Sequence, residues 1–185
     1  WAERSDNLRV LVLGGSLGAK PINDVVLATW QKLSEVQRPT LWHQTGRAHE
    51  EQVQQAYQNA GIAARAEAFI EDMAAAYSWA DVVICRAGAL TVAELAAAGV
   101  PALLVPLPHA IDDHQRANAQ CFVDGGAGEI IDQSVFNADV LCKWLESDSA
   151  NRESLLNSAE AARRLAKIDA ADVAANYCME FANES

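Results

Sequence analysis

The sequence predicts an α/β fold, a Rossmann-like doubly wound parallel sheet of about six strands. Three observations carry that prediction. Short, nearly continuous apolar runs alternate along the chain with stretches of helical periodicity. The apolar runs end in glycine, proline or small polar residues, as strands buried on both faces do. A length of 185 residues with 51% apolar content suits one domain with a sizeable core.

Each element follows in order. Leu8 to Leu13 is an apolar run closed by Gly14-Gly15, hence a buried first strand. Asn23 to Leu33 has helical spacing. Thr40 to Gln44 reads as a second strand, and Ala48 to Asn59 as a polar helix. Ala64 to Ala68 is a weak third strand, followed by a short helix from Asp72 to Trp79. Asp81 to Cys85, with Val-Val-Ile at its centre, is the fourth strand. An alanine-rich helix, Leu90 to Ala98, is stopped by Gly99. Ala102 to Val105 is the fifth strand and His114 to Val123 a helix. Gly126-Ala127-Gly128 turns the chain into a sixth strand, Glu129 to Ile131. From Asn137 onward only helices are expected. The domain is expected to run over residues 1–168, with a terminal amphipathic helix over 169–185 whose stripe of Val173, Tyr177 and Phe181 needs a partner.

Bulk properties exclude several functions. The net charge of −11 argues against nucleic-acid binding and against docking on an anionic membrane through this surface. An anionic ligand would have to be met locally, by helix N-termini and backbone N–H groups. The apolar run from Val100 to Leu107 is broken by prolines and too short to span a bilayer. Trp1 to Asn7 is polar and reads as a linker stub rather than a signal peptide. The four cysteines, Cys85, Cys121, Cys142 and Cys178, form no C-x-x-C pair and read as reduced thiols.

In a doubly wound sheet, ligands sit at the carboxyl ends of the strands, so the chemistry should lie just after each one. The first such segment is Gly14-Gly15-Ser16-Leu17-Gly18-Ala19. Glycines at a strand-to-helix turn let an anion reach the backbone and the helix N-terminus. As a dinucleotide fingerprint it is imperfect, and no acidic residue ends the second strand to hold a ribose. No Gly-Lys-Ser/Thr follows, so it is not a P-loop. It matches the G-x-S-x-G of a hydrolase elbow, although that elbow normally follows several strands. It also reads as a plain turn in which Ser16 caps the next helix.

Arg86-Ala87-Gly88-Ala89-Leu90-Thr91-Val92-Ala93-Glu94 follows the fourth strand and opens a helix. Its small residues leave the helix N-terminus open to a phosphate. Glu94 could accept both hydroxyls of a ribose diol. Equally, Thr91-x-x-Glu94 has the spacing of a capping box, in which Glu94 only reaches back to a backbone N–H. After the fifth strand, His109-Ala110-Ile111-Asp112-Asp113-His114-Gln115 suits a loop binding a polyhydroxy ligand. Its spacing matches no zinc template, and Asp112-Asp113 is a natural helix start. After the third strand, Ile70 could offer its backbone to a base edge while Phe69 and Met73 pack; plain core is the simpler reading. His43 reads as structural.

Taken in series, Gly14-Gly15-Ser16-x-Gly18-Ala19, Phe69-Ile70-x-Asp72-Met73, Arg86-x-Gly88-Ala89-Leu90-Thr91-x-x-Glu94, Gly99-x-Pro101 and Asp113-His114-Gln115-x-x-Asn118-Ala119 resemble the C-terminal domain of the MurG family. The resemblance spans nearly the whole chain, in order and spacing. It implies one half of a GT-B glycosyltransferase that transfers N-acetylglucosamine from UDP to a lipid-linked muramyl-pentapeptide, with inversion and no essential metal or other cofactor. It implies that Gly15 and Ser16 face the phosphates and that Ile70 binds uracil by its backbone. Gly88, Ala89, Leu90 and Thr91 would line the pyrophosphate and ribose, Glu94 would hold the ribose hydroxyls, and Gln115 with His114 would bind the sugar. The acceptor site, general base, membrane contact and an upstream Asn-Pro-x-Arg stretch are expected in an N-terminal domain outside this chain. No catalytic residue is therefore expected here. The resemblance places the whole enzyme peripherally on the cytoplasmic face of the inner membrane, with this half soluble. A stand-alone donor-binding subunit, a related transferase with another lipid acceptor and a serine hydrolase acting through Ser16 remain as rival readings.

Overall fold

A computed structural model of the protein describes residues 4, 7–15, 18–108 and 113–183. Six parallel strands form one sheet in the order β3-β2-β1-β4-β5-β6. They are β1 (Arg9–Leu13), β2 (Thr40–Gln44), β3 (Ala64–Glu67), β4 (Val82–Cys85), β5 (Ala102–Leu104) and β6 (Gly128–Ile130). The helices are α1 (Lys20–Lys32), α2 (Glu50–Asn59), α3 (Met73–Trp79), α4 (Ala89–Ala98), α5 (His114–Asp124), α6 (Ala138–Leu145), α7 (Arg152–Leu165) and α8 (Ala170–Asn183). The strand order reverses between β1 and β4, the switch point at which a doubly wound sheet leaves a crevice beyond its strand ends.

The continuous apolar character of β1 follows from burial on both faces. Val10 and Val12 point into a core with Ile22, Val26, Trp30 and Leu141. Leu11 and Leu13, one step out of phase, point into a second core with Ile70, Tyr77, Leu95 and Phe122. Each such buried side chain contributes about 1.5–3 kcal/mol. Val10, Leu11 and Val12 pair in register with Leu41, Trp42 and His43 on one side and with Val82, Val83 and Ile84 on the other.

Local chemistry sets the element ends. Helix α1 begins at Lys20, three residues before the expected start, because Pro21 is tolerated in a first turn whose N–H groups lack partners anyway. Its cap is Ala19, with no side-chain cap bond, so the capping position does not fall on Ser16. Asp72 caps α3 by accepting from the Ala75 N–H at 2.9 Å. Gly99, at φ 66°, ends α4. Arg4 and Arg9, at the entry to β1, are tied to one buried acid. Arg4 pairs with the fully buried Asp81 carboxylate at 2.7 Å, and the same carboxylate accepts from the Arg9 N–H at 2.9 Å. At the other end, α8 leaves Val173 and Tyr177 exposed, while the Phe181 side chain lies outside the described residues. No helix among the described residues is long and apolar enough to cross a membrane.

Candidate functional site

The end of β2 and the loops that follow β1, β3 and β4 converge on one open cleft of about 330 Å³. The glycine turn supplies Gly14 and Gly15, β2 supplies Gln44, and Phe69 comes from the loop after β3. Helix α3 adds Tyr77, and α4 adds Thr91 and Glu94. All stand at the carboxyl ends of the strands, over the switch point between β1 and β4. Gly15, Thr91 and Glu94, expected from the sequence, are thus brought together; Ser16, between two of them in the chain, lies outside the described residues.

The glycine turn is shaped by close packing. Gly14 donates its N–H to the Gln44 carbonyl at 3.0 Å, and a Cβ on Gly14 would stand 2.8 Å from that oxygen. Gly18 takes φ +77°, and a Cβ there would lie 2.6 Å from the Thr45 carbonyl. Part of the glycine requirement therefore comes from β2, irrespective of any ligand.

The start of α4 has the opposite character. Its cap is Gly88, with no side-chain cap bond and no acidic residue in the first turn. Among the described residues the N–H groups of Ala89, Leu90 and Thr91 therefore have no side-chain acceptor, and Thr91 lines the cleft. Leu90 is 80% exposed. A Cβ on Gly88 would find its nearest neighbour, Thr91 Oγ1, at 3.7 Å, so the fold does not itself demand glycine there. With the cap at Gly88, Thr91 is already the third helical residue and Glu94 the sixth. The capping-box geometry that the spacing allowed is not formed. Glu94 Oε2 instead accepts from the Tyr77 hydroxyl at 2.8 Å. Burial, reinforced by that bond and by the Glu94 charge, pushes the Tyr77 phenol well above its usual range.

Other expected residues fall beside the cleft. Ile70 lines a neighbouring cleft that shares Phe69; only 2% of it is exposed, and its side chain belongs to the core. Its backbone N–H and C=O take no hydrogen-bond partner among the described residues. Gln115 and His114 open α5. Gln115 Oε1 accepts from the Leu107 N–H at 3.0 Å, which ties α5 to the loop after β5. Asn118 donates to the Ala87 carbonyl at 3.1 Å, linking α5 to the entry of α4. Asp113 precedes α5 at φ 52° without a side-chain cap bond, so it is not the capping acid its position implied. His109 to Asp112 lie outside the described residues. Among the described residues no cluster of three His, Cys, Asp or Glu side chains could hold a metal.

Three residues at the site carried no role in the sequence reading. Gln44 Oε1 accepts from the Gly15 N–H at 3.1 Å. Arg86 lines the cleft, donates to the Val105 and Pro106 carbonyls at 2.9 and 3.2 Å, and bonds Gln133. Tyr77 holds Glu94. Gln44 left a trace in the sequence, as a polar residue ending an otherwise buried strand, and Arg86 opens the motif that follows β4, whereas Tyr77 left none. Nearby, Cys85 is buried at the end of β4 and its thiol is pushed up to about 12, which removes it as a nucleophile at neutral pH. His43 is fully buried, 2.8 Å from the Tyr57 hydroxyl and 3.0 Å from Asn23 Oδ1, and is structural as expected.

Comparison with known proteins agrees with this geometry. The glycosyltransferase family 28 C-terminal domain matches residues 9–175. The UDP-N-acetylglucosamine–N-acetylmuramyl-(pentapeptide) pyrophosphoryl-undecaprenol N-acetylglucosamine transferase of Shewanella frigidimarina is 48% identical over 98% of this chain and 50% of its own length. The transferase of the same name from Alkalilimnicola ehrlichii is 53% identical over 94% of this chain and 48% of its own. The crystal structure of MurG from Acinetobacter baumannii superposes with a TM-score of 0.88 at 40% identity, covering 97% of this chain and 51% of that one. The chain thus spans about half the length of the relatives it matches. Matched in sequence along nearly its whole length, and in fold to a solved member, the chain belongs to glycosyltransferase family 28 and carries its C-terminal domain.

Proposed function

We propose that this chain is the donor-binding half of an inverting transferase that moves N-acetylglucosamine from UDP to a lipid-linked muramyl-pentapeptide. The observation that carries the reading is the uncapped N-terminus of α4, opening on the same cleft as the glycine turn and Glu94. The diphosphate lies between Gly15 with Ser16 and the N–H groups of Ala89, Leu90 and Thr91. Glu94 accepts from the ribose hydroxyls, the backbone of Ile70 meets uracil, and Gln115 with His114 reads the sugar. Relatives bearing the transferase name along nearly the whole chain support the transferase reading.

Transfer requires an acceptor hydroxyl to lose its proton and attack the anomeric carbon as the UDP oxygen departs with the bonding electrons. Negative charge then grows on the diphosphate. The α4 N-terminus stabilises that charge by about 0.3–2 kcal/mol without a metal. An acidic chain thereby accommodates an anion through local dipoles. In this reading the general base, the acceptor site and contact with the cytoplasmic membrane surface belong to the half of the relatives that this chain does not cover. Incubated with UDP-N-acetylglucosamine and lipid-linked muramyl-pentapeptide, the isolated chain should bind donor saturably and form no lipid-linked disaccharide. Disaccharide formation by this chain alone would contradict the division of labour.

A further inference from the structure

We infer that Tyr77 is a positioning residue for the nucleotide: its hydroxyl fixes the Glu94 carboxylate so that the remaining oxygen faces a ribose diol. This rests on the reading of the cleft as a nucleotide-sugar site. The two residues come from different helices, Tyr77 from α3 and Glu94 from α4, and both line the cleft. Tyr77 is 5% exposed, its ring packed in the core with Ile70 and Leu95, whereas Glu94 is solvent-exposed on the second turn of α4. An exposed glutamate samples many rotamers, and a diol needs its carboxylate in one of them. The 2.8 Å bond from a phenol anchored in the core selects that one.

Two further features fit this role. Because Glu94 takes no part in capping α4, the fold does not consume its carboxylate. Only Oε2 is engaged among the described residues, so Oε1 keeps its lone pairs for a ligand. The phenol has a single hydrogen, which a tyrosine keeps through the neutral range even at its ordinary pKa near 10, and burial pushes its titration higher still. It therefore stays a donor to Glu94 and never competes with the carboxylate as an anion.

The test is Tyr77→Phe, which keeps the ring in its packing, measured by calorimetric titration with UDP and with 2′,3′-dideoxyuridine diphosphate. The expected result is a melting temperature within about two degrees of the parent and a roughly tenfold loss of UDP affinity, the scale of a hydrogen bond to a charged group. Affinity for the dideoxy nucleotide should not change, and Tyr77→Phe combined with Glu94→Gln should be no weaker for UDP than Glu94→Gln alone. Unchanged discrimination between the two nucleotides in Tyr77→Phe, with or without a fall in stability, would make Tyr77 a brace between α3 and α4 only. Equal losses for both nucleotides would likewise overturn the role. If the parent chain bound no UDP, the nucleotide reading itself would fall and the role of Tyr77 with it.

Discussion

The Gln44 side-chain oxygen accepts the Gly15 backbone N–H at 3.1 Å, so the last residue of β2 holds the turn that follows β1. Gln44 is only 4% exposed, and its own carbonyl receives the Gly14 N–H. Gly14 and Gly15 are thus both registered against a neighbouring strand. Gln44→Ala should cost about 0.5–1.5 kcal/mol of stability, the worth of one neutral hydrogen bond, and should weaken UDP binding by loosening the turn. Gln44→Glu should weaken it further, by setting a negative charge beside the diphosphate. Denaturant unfolding paired with calorimetric titration checks both.

Two glycines that look alike in the sequence should respond differently to the same substitution. Gly18→Ala places a Cβ 2.6 Å from the Thr45 carbonyl at φ +77°, so stability should fall by well over the ~1–2 kcal/mol that a left-handed residue costs by itself. Gly88 sits at φ −63°, ψ 145°, ordinary geometry for alanine, and the added carbon would meet only Thr91 Oγ1 at 3.7 Å, an ordinary van der Waals contact. Gly88→Ala should therefore leave the unfolding midpoint unchanged and reduce UDP affinity, because the new methyl occupies the approach to the α4 N-terminus. Equal affinity in the parent and Gly88→Ala would remove the α4 N-terminus from the binding site.

His43 makes the fold sensitive to acid. Asn23 donates its amide to the Thr45 carbonyl at 2.9 Å, which leaves its oxygen as the acceptor for His43 Nε2–H. Nδ1 then accepts from the Tyr57 hydroxyl. Both ring nitrogens are satisfied only while the imidazole is neutral, and burial lowers its pKa from 6.5 to about 3. Between those values the unfolded chain binds a proton that the folded one refuses. The stabilisation is complete above pH 6.5 and is lost at up to about 1.4 kcal/mol per pH unit as the pH falls toward 3. Nitrogen-15 spectra of the imidazoles should show His43 neutral at pH 5, with the proton on Nε2. Titration near pH 6.5 would contradict the buried network.

Much of the fold was legible because its signals are local. A strand buried on both faces, such as Val10 to Leu13, must be apolar throughout, and a parallel sheet must alternate strands with helices. Boundaries moved where tertiary context decided them: α1 starts early at Lys20, and β6 begins at Gly128 rather than Glu129. The site was legible only in part. Gly15, Thr91 and Glu94 were visible because each follows a strand at a spacing that serves anion or diol recognition. The spacing from Thr91 to Glu94 could not distinguish a capping box from a ligand contact; that depended on the helix starting at Gly88. Gln44 and Tyr77 were missed for another reason. Each acts through a residue that is 29 or 17 positions away in the chain, and no sequence pattern records that pairing. Arg86 stands within a motif, but its hold on the loop after β5 depends on the sheet order, which the motif does not record.

The central claim is that this chain selects the donor. Its most direct test is calorimetric titration of the isolated chain with UDP-N-acetylglucosamine, UDP-glucose and UDP-galactose under identical conditions. The account predicts saturable binding of all three through the shared nucleotide, tightest for UDP-N-acetylglucosamine, with the preference reduced in Gln115→Ala and overall affinity reduced in Glu94→Ala. No saturable binding of any of them, or binding indifferent to both substitutions, would contradict it.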